Sequence, residues 1–267
     1  MKQLAQRYRY SVILLKQLVK TDFKLRYQGS VLGYIWTLLR PLALFTTLFI
    51  VFDKFLKIGS SIPNYPVYLL LGIVLWSFFT EVTNNSVTSI VAKGDLIRKI
   101  NFPKYVIVLA GLFSAVINLV INFVIIVFFM LIMGVEPSIS ILLLPVLLLE
   151  LFIFALALAF LLSALFVRFR DVSYIWEVLM QAAFYATPIL YPLTLVPEAA
   201  AKILILNPMA QIIQDARYVL ITKETATIDQ VYGSHLARLV PIVIVLTLMM
   251  FSAWYFRRRS LLFAEEV

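Results

Sequence analysis

The residues of this chain best suited to handling a polar molecule sit inside stretches that are otherwise apolar. Tyr174, Glu177, Gln181, Tyr185 and Pro188 recur at offsets of three, four, four and three, a single helical face. Ser77, Glu81, Asn84 and Thr88 repeat the pattern on an earlier stretch. Burying such groups in hydrocarbon costs on the order of a few kcal/mol each unless they face protein or water. Each stripe is therefore either a wettable pathway or a set of contacts between helices, the role that Ser114, Asn118 and Asn122 suit. Aromatic faces interleaved with amides fit sugar rings, whose C–H faces stack while their hydroxyls need partners.

Arg40 is the one cation within an apolar stretch. At about 1.5 Å per residue, Arg40, Glu81 and Glu177 each fall roughly 10 to 15 Å from the same end of their helices. Arg40 can then pair with a carboxylate or offer its guanidinium fork to an anionic substrate's phosphate. Bond-breaking chemistry is not provided for. There is one histidine, His235, no cluster of His with Asp or Glu spaced for a metal, and no GxxxxGK phosphate loop.

The elements that carry these residues follow from composition. Of 267 residues, 63% are hydrophobic and 14% charged, more apolar surface than one soluble core can hide. The expectation is an all-α integral membrane protein. The net charge of +9 is read as membrane topology rather than as nucleic-acid binding. With no cysteine, disulfides and thiolate metal sites are excluded. The basic residues of the first thirty positions are scattered, unlike a signal peptide.

From about Leu4 to Tyr27, Arg9, Lys16, Lys20 and Lys24 share one helical face and Leu14, Leu18 and Leu25 another, predicting an amphipathic helix in the membrane interface. Six apolar stretches of about spanning length follow: residues 31–52, 66–91, 105–133, 139–167, 172–191 and 239–256. Between the fifth and sixth, 197–206 and 208–221 are too short to cross and predict re-entrant or interfacial helices bordering a cavity. Asn207 and Pro208 stand as cap and first-turn residues of the second. The whole chain reads as one transmembrane domain: 1–30 interface helix, 31–192 spans one to five, 193–238 outer helices, 239–267 last span and tail.

Six spans put both termini on one side. That side collects sixteen Lys and Arg, against six on the other, which places the termini in the cytoplasm. Trp254 and Tyr255 are interfacial anchors ahead of the stop signal Arg257, Arg258 and Arg259.

The run TDFKLRYQGSVLGYIWTLLRP at Thr21 to Pro41 resembles the N-terminal signature of the permeases of ABC exporters for lipid-linked polysaccharide, which export O-antigen, capsule and teichoic acid. Further motifs recur in the same order: Leu71, Gly72, Trp76, Phe78 and Phe79; LIRKINFP at 96–103; FRDV at 169–172; TPILYP at 187–192; LNP at 206–208; and FAE at 263–265. The resemblance implies a homodimer in the bacterial plasma membrane, bound to two copies of a separate ABC ATPase. ATP and Mg are held by that partner, this chain holds no cofactor, and the substrate is polyprenyl-diphosphate-linked polysaccharide.

It further implies a channel at the subunit interface with Tyr34, Trp36, Tyr174 and Tyr185 as lining aromatics, to which the helical spacing adds Arg40, Glu81, Asn84, Glu177 and Gln181 as candidates along the path. The ATPase stroke is then received by the interface helix, through Lys16, Lys20, Asp22, Lys24 and Arg26. The 93–104 loop receives it through Lys93, Asp95, Arg98, Lys99 and Lys104, beside the Arg170–Asp171 turn. Gly29 and Gly33 would bend the chain into the first span, and Pro197, Asn207, Pro208 and Arg217 would belong to an outer gate. Two alternatives stand beside this. One is an ABC permease for a drug or simple lipid; the other is a membrane enzyme acting on a polyprenyl carrier.

Overall fold

The computed structural model describes residues 2–27, 33–59, 62–136 and 138–266, and every regular element among them is helical. In chain order these are α1 (Lys2–Tyr27), α2 (Trp36–Phe49), α3 (Tyr65–Ala92), α4 (Gly94–Lys99), α5 (Tyr105–Ile132) and α6 (Leu144–Arg168). Then follow α7 (Val172–Ala186), α8 (Glu198–Leu204), α9 (Pro208–Leu220), α10 (Ile228–Tyr232), α11 (Leu239–Arg259) and α12 (Phe263–Glu266).

Helix α3 is the axis of the bundle. Its first half is apolar on every side, and from Val67 to Trp76 each residue is buried, as expected of a helix without a polar face. Helices α2, α5, α6, α7 and α9 pack around it, and α11 packs on α6. The reverse sides of α5, α6 and α11 expose Val120, Val124, Phe128, Leu131, Leu149, Val243 and Met250. In a bilayer this aliphatic belt needs no further cover.

Among the described residues four helices are long and apolar enough to span: Tyr65–Ala92, Tyr105–Ile132, Ile139–Arg168 and His235–Arg259. The other two expected spans are not single long α-helices. Residues 33–55 break into a 3-10 turn (Gly33–Ile35), α2 and a π segment (Ile50–Phe55) that carries Asp53 and Lys54. Helix α7 has 15 residues, about 22 Å, and ends where Pro188 follows Thr187 in extended backbone. Gly33 takes a left-handed φ of +48°, the conformation a glycine adopts without a Cβ penalty. Gly29 lies outside the described residues.

Helix α1 lies along α5 as its pattern requires: Arg9, Lys16, Lys20 and Lys24 are exposed, while Leu14, Leu15 and Leu18 pack on the core. Beyond α7, Asn207 caps α9 by accepting from the Met209 amide at 3.0 Å, with Pro208 in the first turn. Helix α9 is enclosed by α3, α6 and α11, and only Tyr218 is less than fully buried. Helix α8 lies instead against α10, over a small apolar cluster of Leu193, Ala201, Ile205 and Ile228. Two cavities of about 230 and 340 Å³ adjoin these short helices and share Leu193, Thr194 and Ala226.

Candidate functional site

Helix α7 holds no buried residue. It leans on α3 through Met180, Ala183 and Phe184, the last edge-on to Trp76 at 5.9 Å. Tyr174 (72% exposed), Glu177, Gln181 and Tyr185 (68% exposed) all point away from the subunit, interleaved with Ile175, Val178 and Leu179. The stripe therefore does not join helices within this subunit.

The α3 stripe divides. Asn118 of α5 donates to Glu81 at 2.7 Å, and Asn122 donates to the Asn118 carbonyl at 2.8 Å and to the Thr37 carbonyl at 3.4 Å. This polar chain ties α3, α5 and α2 together at Glu81, whereas Asn84 and Thr88 are exposed. Arg40 is also exposed, as is Trp36. Among the described residues Arg40 makes no ion pair with Glu81 or Glu177. Pro41 is buried and turns that face of α2 inward, which leaves Arg40 on the outside. The side chains of Tyr34 and Arg26 lie outside the described residues.

At the α4 end of the bundle, Lys93 reaches both carboxylate oxygens of Asp22 at 2.9 Å, joining α1 to the turn between α3 and α4. Asp95, Arg98 and Lys99 are exposed, with Asp95 and Arg98 at 3.6 Å. Lys104 lies over the Phe102 ring at 4.8 Å, and partial burial lowers its pKa from the usual lysine value. Arg170 and Asp171 are exposed, the former over Phe166. The short α12 folds back on α4 and α6, placing a fully buried Phe263 against Phe256 at 5.4 Å.

The α9 end is built differently. Pro197 and Asn207 are exposed, but Arg217 is wholly buried. Its guanidinium donates to the carbonyls of Tyr68 (3.1 Å), Pro188 (2.7 Å) and Ile189 (2.6 Å) and lies 3.5 Å over the Tyr68 ring. Burial lowers its pKa, against the opposing pull of the tyrosines. Tyr65 donates to the next carbonyl, Leu190, at 3.0 Å. Beside this clamp, Asp215 accepts from Gln211 at 2.7 Å, and Arg238 stands 3.4 Å from Asp215 and 3.1 Å from Asp229.

Sequence reasoning did not find the partners of Arg217, namely Tyr68 and the two carbonyls after α7. One available signal was an arginine and an aspartate beside Gln211 and Gln214 in one short helix, polar groups that need partners if the helix is enclosed. No metal-binding group of His, Cys, Asp or Glu occurs among the described residues.

A helical protein with several membrane-spanning helices, an exposed polar and aromatic face on α7 and charged short segments at one end belongs to the multi-pass membrane proteins. Residues 13–221 match the family described as ABC-2 type transporter, and the chain belongs to that family. It is similar to the O-antigen export system permease protein RfbA of Myxococcus xanthus, 33% identical over 211 residues, which are 77% of this chain and 78% of that protein. Two proteins of the same name from Klebsiella pneumoniae are each 31% identical over 205 residues, covering 76% of this chain and 78% of each relative.

Proposed function

We propose that this chain is the membrane subunit of an ATP-driven exporter that carries polyprenyl-diphosphate-linked polysaccharide across the bacterial plasma membrane. Membership of the ABC-2 family carries the reading, and the names of the relatives supply O-antigen as the cargo class. The outward-facing Tyr174, Glu177, Gln181 and Tyr185 support it, since stacking surfaces beside amide and carboxylate acceptors are what a polymer of sugars requires along its path.

In this proposal two copies of the chain face each other across α2 and α7, and the path runs between them. Segments 33–55 and 172–191 complete six crossings, with both termini cytoplasmic. Arg40, exposed and with no carboxylate partner among the described residues, is placed to meet the diphosphate of the carrier. A separate ATPase holds ATP and Mg. Its closure pushes on α1 and on the 93–104 segment, which the Asp22–Lys93 pair links, and the path opens. The segment around α8 and α9 closes its outer end.

Reconstitution of the chain with its separate partner ATPase, in vesicles loaded with labelled lipid-linked polymer, tests this. Transfer of the polymer across the bilayer, dependent on ATP and lost in Tyr174→Ala/Tyr185→Ala, is expected. Transfer of a simple lipid or drug with no movement of polymer would replace the cargo assignment, and modification of the carrier without any ATPase would replace the transport reading.

A further inference from the structure

A fully buried arginine such as Arg217, with no carboxylate partner among the described residues, is costly unless its donors are met by oriented acceptors. Here three carbonyls from two distant segments meet it: Tyr68 on α3, and Pro188 and Ile189 immediately beyond α7. Gly72 makes room for the arrangement. A Cβ built there would stand 2.6 Å from Nη2 of Arg217, which cannot withdraw without losing its 2.6 Å bond to Ile189. Tyr65 holds Leu190 in the same turn, so three consecutive carbonyls after α7 are gripped from α9 and α3. The clamp crosses 29 residues of chain from Pro188 to Arg217 and 149 from Tyr68 to Arg217.

We propose that Arg217 is a positioning residue that locks α9, the start of α3 and the end of α7 into one rigid body. The short helices at this end then move with the pathway helix and are not an independent flap. This rests on the reading that α7 lines the path, and it adds how motion of α7 reaches the outer end. The free energy that holds the lock is electrostatic and directional, because a guanidinium fork aimed at carbonyls tolerates little displacement.

The chain contains no cysteine, so a label pair can be introduced at two exposed positions, Ala186→Cys at the end of α7 and Lys223→Cys after α9. Spin-label distances are measured in the complex with its ATPase, nucleotide-free and ATP-trapped. A narrow distribution that is the same in both states is expected. Gly72→Ala, which leaves Arg217 in the chain, should broaden it and lower polymer exported per ATP hydrolysed several-fold while assembly and hydrolysis persist. Arg217→Lys, which keeps the charge and loses the fork, should fall between. Gly111→Ala, whose Cβ meets nothing within 4 Å, should match the parent. A distance that changes between the two states of the parent overturns the proposal, as does a Gly72→Ala chain with unaltered distance and export. A constant, clamp-dependent distance in a complex that moves no polymer would sink the exporter reading and leave the lock standing.

Discussion

The Asp22–Lys93 pair at the α4 end of the bundle and Arg217 at the α9 end are held in opposite ways. At the α4 end the charged groups are exposed or part-exposed: Lys93 and Asp22 have side chains 21% and 27% exposed, and Asp95, Arg98 and Lys99 stand in the open. At the α9 end Arg217 is enclosed and satisfied by backbone carbonyls. An ion pair near water contributes about 0 to 1 kcal/mol and can be broken and remade. A buried cation gripped by carbonyls loses far more when disturbed. The first construction leaves surfaces that a partner can grip and shift; the second fixes segments relative to one another.

That contrast can be broken at several points, in order of expected effect. Arg217→Leu strands the buried carbonyls of Pro188 and Ile189 and should cost on the order of 3 kcal/mol or more, read as a large fall in the thermal midpoint of the detergent-solubilised chain. A fall no larger than that of an exposed substitution would remove the distinction between the two ends.

Asn118→Leu takes from the part-buried Glu81 its 2.7 Å donor and should destabilise by about 1 to 3 kcal/mol in the same assay. This variant probes the middle of the bundle, where polar groups join helices, and an unchanged midpoint would return Glu81 to the candidate pathway.

Asp22→Lys or Lys93→Asp should each change stability by about 1 kcal/mol or less yet weaken the link between ATP hydrolysis and transport. The exchanged pair Asp22→Lys/Lys93→Asp should recover part of that coupling, and a double variant no better than the singles would leave the pair without a mechanical role.

The smallest effect is expected at Asp215, whose carboxyl burial pushes above its usual range against the opposing influence of Gln211 and Arg238. The folded chain then keeps this proton to higher pH than the unfolded chain. Its contribution to stability is full below the unfolded carboxyl value and declines as pH rises through the raised folded value. Asp215→Asn should flatten that part of the stability profile, measured as thermal midpoint against pH, and a profile as steep as the parent's would show that the burial is not felt.

Two-faced spacing was enough to locate α1, and the length of an unbroken apolar run was enough to locate α3, α5, α6 and α11, because both signals are local to the segment. Sequence reasoning also located the cap of α9 at Asn207 and Pro208, a local signal that needs no neighbour. It overran α7, since apolar residues continue through 187–191 after the helix has stopped, and the cause of the stop is Pro188 together with the carbonyls that Arg217 claims. It could not place α9, whose short amphipathic pattern suits an interface as well as an enclosed slot.

Composition, charge distribution and helical spacing by themselves determined a helical membrane chain with a basic amphipathic entry helix and an aligned polar stripe on α7. Those properties are local or additive, and each residue contributes to them without reference to distant ones. Only the tertiary structure decided that Glu81 accepts from Asn118, that Arg40 makes no ion pair with Glu81 or Glu177 among the described residues, and that Arg217 closes on Tyr68, Pro188 and Ile189. Backbone carbonyls are present at every position, so nothing in the residue order marks which of them a buried arginine will meet.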